Sequence, residues 1–160
     1  MITVHLTLDE CVDAWNCAKQ REYSSRNRNL RQAYGASPSP SKSLMMHFDG
    51  VKGEMVAAKS INHHWVPTVN TFSAPDIGSN IQVRTRSRDD YQLIVRNKDA
   101  DDEIFILVRG KGVTYTVVGW VYGHEAKQEK YLKNHGGRPA AYFVPDSELR
   151  NINALMELVG

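Results

Sequence analysis

Only two cysteines occur in the 160 residues, Cys11 and Cys17. Six positions apart on one expected helix, they point to different faces and do not bridge easily, so buried thiols are expected rather than a disulfide. No apolar run approaches the roughly 18 to 20 residues that cross a bilayer, and no membrane span is expected. The N-terminal stretch Met1–Glu10 lacks the basic start and long apolar core of a signal peptide, which predicts a cytoplasmic chain. A strong charge of either sign is missing too: the net charge is +2, so global electrostatics does not mark a nucleic-acid binder. No internal repeat is visible. The histidines, His5, His47, His63, His64, His124 and His135, are scattered without metal-ligand spacing, and no zinc site is expected.

What is present fits one globular domain: the chain is 41% hydrophobic and 24% charged, and ~150 residues is near the commonest domain size. The charges are unevenly placed. Arg21, Arg26, Arg28 and Arg31 cluster early, Arg84, Arg86 and Arg88 cluster centrally, and Asp99, Asp101, Asp102 and Glu103 form an acidic counterpoint. The proline- and serine-rich stretch 35–43 reads as a flexible loop between an N-terminal helical arm, 1–34, and a core, 44–160.

Thr7-Leu-Asp-Glu10 has the spacing of a capping box, so a helix should begin at Leu8 and pack through Leu8, Val12, Trp15 and Ala18. Its basic end reads either as a solvated face or as a phosphate-contacting arm. A second helix is expected from Ser43 to about Ile61, with Leu44, Phe48, Val51, Met55 and Ala58 as its apolar stripe. Gly50 and Gly53 each lower helix propensity by ~1 kcal/mol relative to alanine, and close approach to a sheet would account for them.

Ile81 to Arg88 alternates as a strand, with Ile81, Val83 and Thr85 on a core-like face and Gln82, Arg84, Arg86 and Arg88 on a polar, cationic one. Tyr91–Val95 and Ile104–Val108 are expected to pair as a hairpin across the acidic turn. Thr114–Tyr122 reads as a long strand in which Gly119 marks a bulge or close packing. A short polar helix at His124–Leu132, a strand at Ala141–Val144 and a last helix capped by Asp146 complete the order. The fold class is therefore α/β of the α+β kind, a central mixed sheet flanked by helices, with an N-terminal helix.

Glu54 on the second helix, Asp76 in the turn Pro75-Asp-Ile-Gly78 and the triplet Gln82-Val83-Arg84 form one constellation. Surface exposure is the ordinary state of a helical glutamate, yet the small neighbours Gly50, Ala57 and Ala58 would let this one approach the strand. With Gly50-x-x-Gly-Glu54 before the sheet and Gly119-Trp120 after it, the arrangement resembles the PD-(D/E)XK nuclease superfamily in a small, phage-type version, over roughly 44–144. The resemblance implies a restriction-endonuclease-like core and DNA as partner. It also implies hydrolysis assisted by Mg²⁺ or Mn²⁺, with Glu54 and Asp76 as ligands, Gln82 as a supporting ligand and Arg84 as the transition-state cation. Arg84, Arg86, Arg88, Arg28 and Arg31 would contact nucleic acid.

Two positions depart from that pattern. Gln82 offers a neutral oxygen where an acid is usual, and Arg84, a permanently protonated guanidinium, cannot be a general base as a lysine can. Water activation would then fall to the metal or to Glu54. A catalytically inactive nucleic-acid-binding protein on the same fold, and a small interaction or host-modulating protein in which the arginines are a solvated strand face, stay open beside the nuclease. A homodimer stays open beside a monomer.

Overall fold

A computed structural model describes residues 1–27, 39–69 and 74–159. The chain runs β1 (Ile2–His5), α1 (Leu8–Asn27), α2 (Pro40–Ser60), β2 (Ile81–Arg86), β3 (Leu93–Val95), β4 (Ile104–Lys111), β5 (Thr114–Tyr122), α3 (Gly123–Ala126), β6 (Leu132–Lys133), β7 (Ala141–Val144) and α4 (Ile152–Val159). The fold is α+β. Its main sheet is mixed, in the order β1-β5-β4-β2, and a smaller antiparallel sheet runs β3-β7-β6.

Strand β4 explains the layering. Its apolar run from Ile104 to Val108 is buried throughout, as a strand covered on both faces requires. Ile104, Ile106 and Val108 join Val51, Met55, Val56 and Ile152 in the helix-side core. Phe105 and Leu107 turn the other way, onto Leu93, Val95 and Val144 of the small sheet. The main sheet thus lies between a helical layer and a second sheet. No helix among the described residues is long and apolar enough to cross a membrane.

Several expectations are corrected. Residues 91–95 and 104–108 do not form a hairpin: β4 already has β2 and β5 as neighbours, so β3 pairs with β7 instead. The parallel β2–β4 pair needs a crossover, and the segment carrying β3 supplies it. Helix α1 starts at Leu8 under the expected capping box, where Thr7 N–H donates to Glu10 at 2.8 Å and Glu10 N–H donates to Thr7 at 3.1 Å. Its packed face, however, is Ala14, Cys17, Ala18 and Glu22, while Leu8 is 80% and Val12 50% exposed. Small residues let α1 lie close on α2, where Trp15 also meets Phe48 edge-on at 5.0 Å between ring centres, whereas Leu8 and Val12 sit on the outer side. Both cysteines are free, Cys17 buried and Cys11 half-buried.

Helix α2 begins at Pro40, capped by the Ser39 hydroxyl, so the end of the expected loop is helical. Strand β1, absent from the expected order, pairs with β5. The polar helix expected at 124–132 is only the short α3 followed by a 3₁₀ turn, Glu129–Tyr131. Asp146 opens another 3₁₀ turn, Asp146–Glu148, rather than capping α4. Its carboxylate instead accepts two hydrogen bonds from the buried Arg109, at 2.5 and 2.6 Å. Gly119 answers both readings offered for it. The β4–β5 register slips opposite it, and a Cβ there would lie 2.6 Å from the Arg150 carbonyl oxygen.

Candidate functional site

Strand β2 is one of the two edges of the main sheet, and the candidate residues reach that edge from three directions. From the helical layer, α2 presses Gly53 against β2 so tightly that a Cβ on it would stand 1.7 Å from Thr85 Oγ1. This close approach delivers the next residue, Glu54, to the strand with only 4% of its surface exposed. Gly50 has open space around it, so the sheet accounts for only one of the two helical glycines.

From the preceding turn comes Asp76. Asp76 and Ile77 N–H both donate to the Ile81 carbonyl, at 2.8 and 3.1 Å, and Gly78 takes a left-handed φ of +57° to close the reversal. The fold-back lays Asp76 along the free side of β2, where its Oδ2 accepts the Val83 N–H at 2.7 Å. Its other oxygen has no hydrogen-bond donor among the described residues.

From the opposite face come Gln82, Arg84 and Arg86. Gln82 donates to Glu103 at 2.8 Å and to the Ala74 carbonyl at 3.3 Å. Arg84 donates to the Ile94 carbonyl at 3.2 Å and to Asp99 at 2.8 Å, with its guanidinium 5.0 Å from the Phe105 ring centre. The acidic segment after β3 therefore partners Gln82 and Arg84. Arg88 lies exposed beyond the strand and is held by Asp90 at 3.0 Å. Arg28 and Arg31 lie outside the described residues.

Glu54, Asp76, Gln82, Arg84 and Arg86 line one open cleft of about 590 Å³. The sequence brings these residues to one strand edge, but Glu54 and Arg84 approach it from opposite faces of β2. The residue that sequence reasoning missed is Arg21. Grouped there with the basic end of α1, it instead points inward and donates to both Glu54 oxygens, at 2.7 and 3.1 Å, and to the Thr68 carbonyl at 2.7 Å. The available signal was the small-residue face Ala14, Cys17, Ala18, whose next turn carries Arg21.

The electrostatics follow from burial. Removal from water raises Glu54 to about 7; the Arg21 hydrogen bonds oppose that rise and the Asp76 charge adds to it. Burial also raises Asp76, against the lowering effect of the Val83 N–H, Arg84 and Arg21. Two carboxylates near one another thus both resist ionisation.

Hard oxygens suit magnesium or manganese. Asp76 offers one such oxygen, and the carbonyl oxygen of Gln82 accepts no hydrogen bond among the described residues. Glu54 can complete the set only where Arg21 yields it, and no group of three acidic, histidine or cysteine side chains is placed to hold a metal among the described residues. Asp76 and Gln82 are thus the donors left open, so an ion there would keep several waters rather than sit in a closed protein cage. Comparison with known proteins returns no matching family model, no matching curated protein and no matching solved structure.

Proposed function

We propose that this protein is a divalent-metal-dependent DNA nuclease, built on a restriction-endonuclease-like core of the PD-(D/E)XK kind and working in the cytoplasm. One observation carries the reading: Glu54 and Asp76, both raised by burial, meet in one cleft with an arginine-bearing edge strand. Asp76, Glu54 and the Gln82 carbonyl oxygen would hold a magnesium or manganese ion, which supplies charge neutralisation at a phosphodiester and an acidified water. The chain's own groups do the rest. Arg84 and Arg86 face the developing phosphate charge as permanent cations. Alternatively, with Glu54 outside the ligand set, its carboxylate, ionising near neutral pH, can take a proton from the attacking water.

A second reading, a nucleic-acid-binding protein that does not cut, is favoured by Arg21, whose two hydrogen bonds engage both Glu54 oxygens. The test is incubation with plasmid, linear duplex and single-stranded DNA in magnesium, manganese or EDTA, beside Asp76→Asn prepared identically. Metal-dependent cutting that falls at least about a hundredfold in the variant is the expected result. No cutting of any substrate, with DNA still bound at low salt, would replace the nuclease with the binding protein.

A further inference from the structure

Beyond the carboxylate cleft, the cationic side of β2 opens into a second hollow of about 660 Å³. Its walls come from both sheets. Arg86 stands on β2, Arg96 follows β3, and Lys133 and Arg138 come from the β6–β7 hairpin, with Phe143 of β7 as an aromatic floor. Arg86, Arg96 and Arg138 line the carboxylate cleft as well, so the two hollows form one continuous trough.

The charge of this hollow is lopsided. Against those four cations its lining holds one acid, Asp90, and both Asp90 oxygens are taken by Arg88 at 3.0 Å. Arg86 has no carboxylate partner among the described residues; its guanidinium rests 4.6 Å from the Tyr91 ring centre. Burial, together with the charges of Arg96 and Arg109, pushes its pKa down. Like charges gathered at a half-buried position cost folding free energy, and an anion placed among them would offset that cost.

The β6–β7 hairpin closes in a tight turn at the rim of this hollow. Gly136 and Gly137 take left-handed φ angles of +59° and +75°, and Arg138 N–H donates back to the His135 carbonyl at 3.2 Å. The His135 ring meets Phe143 edge-on at 4.7 Å between centres. A polar, cationic hollow with an aromatic floor matches an unpaired nucleotide strand, whose phosphates seek cations and whose bases seek a ring to stack on. A duplex offers its phosphates but keeps its bases stacked inside.

We propose that this second hollow extends the carboxylate cleft into a strand-binding track, in which Arg86, Lys133 and Arg138 take the phosphates of a single nucleic-acid strand and Phe143 receives a base. The inference rests on the nucleic-acid part of the proposed function and not on hydrolysis. The test is fluorescence anisotropy in EDTA with a labelled single-stranded oligonucleotide and a duplex of the same length, over a salt series. Lys133→Ala with Arg138→Ala is expected to weaken single-strand binding by about tenfold and to flatten its log-log salt slope by about 0.7 per charge removed. Phe143→Leu should weaken the single strand more than the duplex, and Lys19→Ala, on the exposed side of α1, should change neither; melting curves verify folding.

Unchanged affinity and salt slope in the folded Lys133→Ala, Arg138→Ala protein would overturn the proposal, as would equal effects of Phe143→Leu on both oligonucleotides. A protein that binds the strand through these residues yet cuts nothing in magnesium or manganese would remove the nuclease and leave this site standing. Cutting that depends on Asp76 but ignores the trough substitutions would do the reverse.

Discussion

Glu54 sits between two opposed demands: burial favours its neutral acid, and the Arg21 fork 2.7 Å away favours its anion. Burial prevails, raising the folded group to about 7 from an ordinary 4.5. Between those values folded Glu54 holds a proton that the unfolded chain has released. The stability it contributes is thus fully present below about 4.5 and is lost as pH rises to about 7, to the extent of about 3 kcal/mol. Asp76, also raised, acts in the same sense. His47 is lowered by burial from 6.5 and acts oppositely, so a comparison with Glu54→Gln isolates the glutamate. Asp101 and Glu125, held low by Lys127 and Arg150, stay ionised throughout. Urea unfolding at pH 5 and pH 8 should show a smaller loss of stability with pH in Glu54→Gln than in the unaltered protein. An equal or larger loss would mean that Arg21 keeps Glu54 ionised in the fold.

Along helix α2, two glycines that look alike in sequence have opposite surroundings. A methyl on Gly53 would collide with Thr85 of β2, whereas one on Gly50 would meet nothing within 4 Å. Gly50→Ala should therefore stabilise the protein by up to about 1 kcal/mol through helix propensity. Gly53→Ala should cost several kcal/mol, because the helix must lift from the strand, and it should carry Glu54 away from Asp76. Thermal denaturation of the two variants gives opposite shifts if this holds; similar shifts would show that the helix moves without resistance. Helix α1 makes a related point. Its capping box fixed where it starts, while Leu8 and Val12 proved to be on its outer side because the close contact with α2 is made by Ala14, Cys17 and Ala18.

Across the whole molecule, Arg109 joins the layers. It leaves β4 with 9% of its surface exposed and donates to the Tyr91 carbonyl at 2.7 Å and to Asp146 at 2.5 Å, so the central strand holds the chain segments flanking the small sheet. Asp146→Ala would leave that guanidinium with the Tyr91 carbonyl as its remaining acceptor among the described residues. A cost of about 1 to 3 kcal/mol in urea unfolding is expected, moderated because water can reach the vacated position. A change within about 0.5 kcal/mol would mean that the bond is no more than a surface contact.

Local chemistry in the sequence determined the capping box, the alternating strand from Ile81, which ends at Arg86 rather than at the expected Arg88, the long β5 with its Gly119 irregularity and the turn that carries Asp76. Each depends on neighbours within a few residues, through hydrogen bonds, side-chain period or backbone freedom. The grouping of Glu54, Asp76, Gln82 and Arg84 rests on a family resemblance rather than on local chemistry. Tertiary structure alone decided which strands pair, because Leu93–Val95 and Ile104–Val108 are equally apolar and only the places already filled beside β4 send β3 to β7. It also decided where Arg21, Arg84 and Arg86 lie. Whether a guanidinium lies on Glu54, on Asp99 or on an unpartnered stretch of cleft depends on which distant segment folds over it, and spacing along the chain does not encode that; the Arg88–Asp90 pair, two residues apart, is the local exception.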